Sequence, residues 1–149
     1  MFFKKQKAIF NPEELKKIQA QVCQSESQTS GEIRIFIESH CHWVDPLWRA
    51  REVFLNLKMQ ETQNRNAVLI YIASDDHDFA LFADKGLYQL IQAEQWNQLA
   101  NQLAKSFYEE RFCEGLCSCI LSVGELLNQH FPMHGEQKNE LPDEIVFGH

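Results

Sequence analysis

No stretch of this chain stays apolar for the ~20 residues a membrane-crossing helix needs. No internal repeat and no low-complexity tract is visible either. Basic charge is scarce: 14 Lys and Arg face 21 Asp and Glu, for a net charge of −7. That balance argues against broad binding to nucleic acid or to anionic membranes, because both need a basic face to displace counterions. The opening Met1-Phe2-Phe3-Lys4-Lys5-Gln6-Lys7 carries charge but leads into no apolar run, so neither a signal peptide nor membrane insertion is expected, and the expected compartment is the cytoplasm. Cysteine pairing is absent as a pattern. Cys23, Cys41, Cys113, Cys117 and Cys119 are odd in number, and no second pair has finger-like spacing. Free thiols are expected, with Cys113 and Cys117 at i,i+4 either sharing a metal or filling the core.

What is present is a chain of 149 residues, 44% of them apolar, which suits one domain. Asn11, Pro12 and Glu14 spell a capped helix start, with Phe10 and Leu15 placed as a hydrophobic staple and Leu15, Ile18 and Val22 as its apolar stripe. Ile33, Ile35 and Ile37 alternate through a strand from Glu32 to Glu38. Asp45-Pro46 opens a second helix whose buried face is Leu47, Ala50, Val53, Phe54 and Leu57. The run from Ala67 to Ala73 is continuously apolar, the mark of a central strand buried on both faces. Phe79 to Ala83 is a further strand, joined to it by the short link Ser74 to Asp78 as an antiparallel hairpin. From Asp84-Lys85-Gly86 to Phe131 the pattern is helical, with Gly115 and the charged stretch before it expected to separate two helices and Pro132 expected to stop the second.

The expected fold is therefore α/β: a three-layer α/β/α sandwich with a small mixed central sheet, a parallel strand–helix–strand unit plus an antiparallel hairpin, flanked by helices. Residues 1–132 form the domain and 133–149 a mostly flexible tail.

This topology sends the polar residues to two edges of the sheet. At the carboxyl ends of the parallel strands lie His40, Cys41, His42 and Asp45, with Asp75, Asp76, His77 and Asp78 in the hairpin. Imidazole with carboxylate suits a transition metal or acid–base work; a solvated acidic turn beside surface histidines suits the same residues. At the opposite edge lie Glu32, then Asn64, Arg65 and Asn66, then Asp84, Lys85 and Gly86. Glu32, Asn66 and Asp84 offer oxygens to a hard cation, and Arg65 and Lys85 offer positive charge to a phosphate. The same residues also suit a surface cluster in which Arg65 pairs with Glu32 or Asp84.

Several segments, in order, resemble the TPM domain family, the thylakoid phosphatase-type domain, in its soluble single-domain bacterial branch. They are Gly31-Glu32-Ile33-Arg34, Arg65-Asn66 with the apolar run to Ala73, Asp76-His77, Asp84-Lys85-Gly86-Leu87, Glu114-Gly115-Leu116, His130-Phe131-Pro132 and the string Asn139 to Ile145. The chain departs from the family pattern where glycine is common, at Ala67, Ala83 and Glu110. The resemblance implies an α/β/α sandwich and relatives of two kinds, acid phosphatases and divalent-cation binders without clear catalysis. It favours the edge of Glu32, Asn66 and Asp84 as the working one.

Three functions follow as expectations. The first is a module that binds calcium or magnesium and acts with an unidentified partner protein. The second is a metal-assisted acid phosphatase, which lacks a recognisable nucleophile. The third is an interaction module whose tail docks through Leu141, Pro142, Ile145, Val146 and Phe147. Trp43 and Trp48 are either core residues or the mark of a contact surface.

Overall fold

Two helices start where the sequence sets a cap before a proline. Asn11 accepts from the Glu14 N–H at 2.8 Å while the Glu14 carboxylate accepts from the Asn11 N–H at 3.0 Å. Asp45 accepts from the Leu47 N–H at 2.9 Å. Each bond satisfies a backbone donor that a helix start leaves orphaned. The computed structural model describes residues 8–133 and 141–148. Its elements are α1 (Pro12–Glu26), β1 (Glu32–Glu38), α2 (Pro46–Asn56), β2 (Ala67–Ala73), β3 (Asp78–Ala83), α3 (Lys85–Tyr88), α4 (Ala93–Tyr108), α5 (Phe112–His130) and β4 (Val146–Phe147).

The sheet order is β3-β2-β1-β4. β1 and β2 are parallel, in register from Glu32 opposite Ala67 to Glu38 opposite Ala73. β2 and β3 are antiparallel, from Val68 opposite Ala83 to Ala73 opposite Asp78. The expected mixed sheet with helices on both faces is what forms. Alternation along the strands splits the core in two. Ile33, Ile35, Ile37, Val68, Ile70 and Ile72 pack under α1, α4 and α5. Phe36, Leu69, Tyr71 and Ala73 pack against Ala50, Val53 and Phe54 of α2. Every residue of β2 is buried, as its unbroken apolar run requires.

Three local features differ from the sequence reading. The break between α4 and α5 falls in the charged stretch Glu109–Arg111, where Glu110 has φ 60°, the left-handed conformation that glycine adopts at least cost. Gly115 is not part of that break. It lies inside α5, where a Cβ would come within 2.3 Å of the Ser106 Cβ, so its role is close helix packing. On α2, Leu47 is exposed rather than part of the buried face.

The third difference concerns the segment read as a tail. Val146 and Phe147 form β4, parallel to β1 and opposite Phe36 and Ile37, and the Gly148 N–H donates to the Ile37 carbonyl at 2.8 Å. Leu141 is buried, and the Ile145 N–H donates to the Gln19 side chain of α1. The described part of the tail is thus held on the domain by main-chain bonds, with Leu141 buried and Ile145 and Val146 half-buried, whereas Pro142 and Phe147 are exposed. A two-residue strand has no readable period, and its partner lies far upstream, so a local pattern does not announce it. Residues 134–140 and 149 lie outside the described residues.

Candidate functional site

The backbone brings the second edge together as the hairpin reversal demands. Glu32 stands opposite Ala67, and the Asp84 N–H donates to the Ala67 carbonyl at 2.9 Å, so β1, β2 and the end of β3 meet in one row. The Glu32 N–H in turn donates to the Asn66 carbonyl at 3.4 Å. The side chains in that row divide into two groups.

Asp84 belongs to the first. Its carboxylate takes Arg65 in bidentate fashion, Nε to Oδ2 at 2.7 Å and Nη2 to Oδ1 at 2.9 Å, and also accepts from the Lys85 N–H at 2.7 Å. The hydrogen bond to Asp84 raises the Arg65 pKa further above its ordinary value. Arg65 has φ 51°, a conformation costly for a residue with a Cβ. Gly86 closes the turn: its N–H donates to the Arg65 carbonyl at 2.9 Å, and a Cβ there would stand 2.3 Å from the Asn64 carbonyl oxygen and 2.5 Å from that of Arg65. Both obstacles are backbone atoms, which yield less readily than side chains. Gly86→Ala is accordingly expected to cost more than about 2 kcal/mol of stability by strain alone, read as a lower urea midpoint. A cation on Asp84 has to displace the guanidinium, so the set Glu32, Asn66 and Asp84 is not preassembled around one ion. Arg65, named for phosphate, is committed to Asp84, and Lys85 is exposed beside it.

Glu32 belongs to the second group. One carboxylate oxygen each from Glu26, Glu32 and Asp143 lies within 4.8 Å of the others. Glu26 and Glu32 are buried and Asp143 is half-buried. Glu26 ends α1 and accepts from the Ile33 N–H at 2.6 Å. Asp143 is brought in by the segment that leads to β4, where its carbonyl accepts from Gln19 of α1. Burial first, then the hydrogen bond that the protonated Glu26 donates to Asp143 and the charge of Glu32, raise the Glu26 pKa far above the ordinary carboxylate range. Asn66, just before β2, is fully buried; its Nδ2 donates to Ser30 at 3.5 Å, while its Oδ1 is buried with no hydrogen-bond partner among the described residues. Such an orphaned acceptor is costly to bury and stands out for that reason. Glu26 and Asp143 were not among the sequence candidates. Neither sits in a local pattern that sets it apart, and the one weak signal is the acidic, family-like string that holds Asp143.

At the opposite edge His40 meets two of the three hairpin aspartates, Asp75 and Asp76. His40 Nδ1 lies 2.9 Å from Asp76 Oδ1, and Nε2 lies 3.4 Å from Asp75 Oδ2. Asp76 also accepts from the Cys41 N–H at 2.8 Å. The hydrogen bond to Asp76 raises the His40 pKa, and the same contact lowers that of Asp76. His40 is exposed, so the contact is solvated. His42 is exposed, near enough for its charge to be felt by Asp76. His77 leaves the cluster altogether: it has φ 51° and packs on Phe112, ring centroids 4.9 Å apart. The arrangement matches the solvated acidic turn.

Behind that turn is a buried group that the sequence reading missed. Arg49 of α2 grips Glu38 at the end of β1, Nε to Oε2 at 2.8 Å and Nη2 to Oε1 at 2.9 Å, and the Tyr71 hydroxyl also donates to Glu38. Burial pushes the Glu38 pKa up, but hydrogen bonds from Arg49 and Tyr71 outweigh it and the net shift is downward. Burial, then the bond to Glu38, raises the Tyr71 pKa well above the phenol range. On the helices, Cys113 and Cys117 are half-buried and free, their pKa values raised by burial, which keeps them as thiols near neutral pH.

Comparisons with known proteins agree with this fold. The TPM domain family matches residues 3–126. The NMR structure of the BA42 protein from the psychrophilic bacterium Bizionia argentinensis superposes with a TM-score of 0.88 at 35% identity, covering 97% of this chain and 99% of that one. The N-terminal domain of the cg2496 protein from Corynebacterium glutamicum shares the fold, with a TM-score of 0.63 at 12% identity over 87% of this chain and 84% of that one. No helix among the described residues is long and apolar enough to cross a membrane. By the extent of the match and the order of its strands and helices, the chain belongs to the TPM domain family.

Proposed function

We propose that this TPM domain is a divalent-cation-binding module whose ion is held by Glu26, Glu32 and Asp143. The observation that carries the reading is the gathering of three carboxylate oxygens within 4.8 Å of one another at the start of β1. Calcium binds oxygens at about 2.3–2.6 Å, so ligands around one such ion stand up to about 5 Å apart. Asn66, one residue before the Ala67 that stands opposite Glu32, carries a buried Oδ1 without a partner among the described residues, which leaves a neutral oxygen at this end of the sheet. Calcium suits an irregular donor set of this kind better than magnesium, which demands near-octahedral geometry. Without an ion, the proton held by Glu26 relieves the repulsion among the carboxylates. An ion entering the site displaces that proton, so affinity rises with pH.

Titration of the 15N-labelled protein with calcium tests this. Saturable shifts are expected at Glu26, Ile33, Asn66 and Asp143, with affinity lowered at least about tenfold by Glu32→Gln, the loss of one charged ligand. Shifts confined to Asp84, Lys85 and Gly86, or no saturation at all, overturn the assignment. The acid phosphatase alternative calls for the same ion to polarise a phosphate while Arg65 leaves Asp84 to grip it; aryl phosphate turnover in the calcium-loaded protein is the result that would favour it.

A further inference from the structure

The outer side of β3 is an open strand edge: among the described residues no strand pairs there. The direction of its free groups follows from the register. The Asp84 N–H points at the Ala67 carbonyl, and pairs alternate along an antiparallel ladder. Phe82, Ala80 and Asp78 therefore direct their main-chain groups to β2, while Ala83, Leu81 and Phe79 direct theirs outward. The Phe79 N–H is already met by the Asp78 side chain at 2.9 Å. Leu81, in the middle, presents both its N–H and its C=O.

That edge is the floor of a groove of about 620 Å³ lined by Phe79, Ala80, Leu81 and Ala83. Asp45 and Leu47 at the start of α2 form one wall, and Tyr88, Ile91, Trp96 and Ala100 of α3, α4 and their link form the other. Leu47 and Tyr88 on the two walls are exposed, and so are Trp43, Val44 and Trp48 around the start of α2. The charge at the two ends differs: Asp45 and Asp78 are exposed near the hairpin, and Lys85 is exposed just past the other end of β3.

We propose that this groove takes an extended segment of a partner protein as a fifth strand beside β3. The open main-chain pairs dictate an extended occupant, since a helix has no free ladder groups to offer. The groove calls for aliphatic side chains at alternate positions. The end charges call for a basic residue near Asp45 and Asp78 and an acidic one near Lys85. Antiparallel addition centres the segment on Leu81, which exchanges both of its bonds. The inference is independent of the cation reading, because no residue of the groove belongs to the carboxylate group.

The probe is the peptide acetyl-Glu-Ile-Val-Ile-Lys-amide, added to 15N-labelled protein with and without calcium. Shifts are expected at Phe79, Leu81 and Ala83, with slowed hydrogen exchange at the Leu81 amide. Leu81→Pro removes an outward N–H and no ladder bond to β2, a place where an edge strand tolerates proline. It is expected to weaken the peptide at least about tenfold, the worth of one main-chain hydrogen bond lost without replacement. Ala100→Trp fills the groove without touching the ladder and is expected to weaken it as much, which keeps the test alive should the proline variant fold poorly. Peptide shifts that miss β3, or affinity unchanged in Ala100→Trp, overturn the proposal. Concentration-dependent dimerisation abolished by Ala100→Trp overturns it in favour of a second copy of this chain.

Discussion

Arg49→Ala is expected to destabilise the fold by about 3–5 kcal/mol, because it strands the Glu38 carboxylate in the interior without its ion-pair partner. Glu38 is 5% exposed and the Arg49 side chain 23%, so water does not screen the pair as it screens the His40 contacts. The guanidinium makes two of its bonds to Glu38 and also lies 5.9 Å from the Phe36 ring centroid, so alanine removes packing as well as charge. Urea unfolding measures the loss as a lower midpoint at unchanged slope. Most of it should return in the triple variant Arg49→Met, Glu38→Leu and Tyr71→Phe, since an apolar set of similar volume needs no compensation for buried charge and leaves no Tyr71 hydroxyl without its acceptor. The pair also sets an acid limit. The folded pKa of Glu38 lies below its ordinary value of 4.5. Its contribution is complete above that ordinary value and fades as pH falls through the folded one. Arg49→Ala should lose that part of the acid sensitivity. A cost below about 1 kcal/mol would mean that the pair behaves as a surface ion pair.

Glu26→Gln should act in the opposite sense and stabilise the protein at neutral pH in the absence of divalent cations. Glu26 is buried beside two carboxylates, and its folded pKa lies far above the ordinary 4.5. Above that ordinary value the unfolded chain has released this proton and the folded chain has kept it. Stability therefore falls as pH rises, by about 1.4 kcal/mol for each pH unit per proton retained. Glutamine keeps a carbonyl for the Ile33 N–H and carries no charge, so this slope should vanish. From about pH 5 to pH 7 the difference between variant and wild type should grow by about 2–3 kcal/mol, readable in melting temperatures taken along that range. Calcium should narrow the gap by stabilising the wild type alone, because the variant has given up a ligand. A wild-type stability that climbs through this range would mean that the Glu26 carboxyl is ionised in the folded protein, and the account of the site would fall with it.

Much of the fold was legible because its signals are local. The caps at Asn11 and Asp45 need only their own next three residues. The isoleucine alternation in β1, the unbroken apolar run of β2 and the short link to β3 each lie in one window of sequence, and the parallel crossover follows from the length of chain between the strands. Strand parity even placed Glu32 and Asp84 in one row, and the register agrees. The candidate site was legible only to that depth. Whether Asp84 faces an ion or an arginine turns on the left-handed backbone of Arg65 and on the close turn at Gly86, neither of which has a period. Glu26 and Asp143 lie far apart in sequence and meet Glu32 only because α1 packs beside β1 and the last strand returns along its other side. Glu38, Arg49 and Tyr71 each read as ordinary members of a strand or helix until α2 lies across the sheet.

The amino-acid sequence alone determined the order of elements from α1 to α5, most of the face each one buries and the edge at which its polar residues emerge, since these follow from periodicity, capping and chain connectivity; β4 and the exposure of Leu47 did not follow from it. The tertiary structure decided which charges share an enclosure: Asp84 with Arg65, Glu32 with Glu26 and Asp143, Glu38 with Arg49. The physical reason is that burial raises the cost of an unmatched charge steeply, so the partner that matters is the one the packing encloses with it, whatever its distance along the chain.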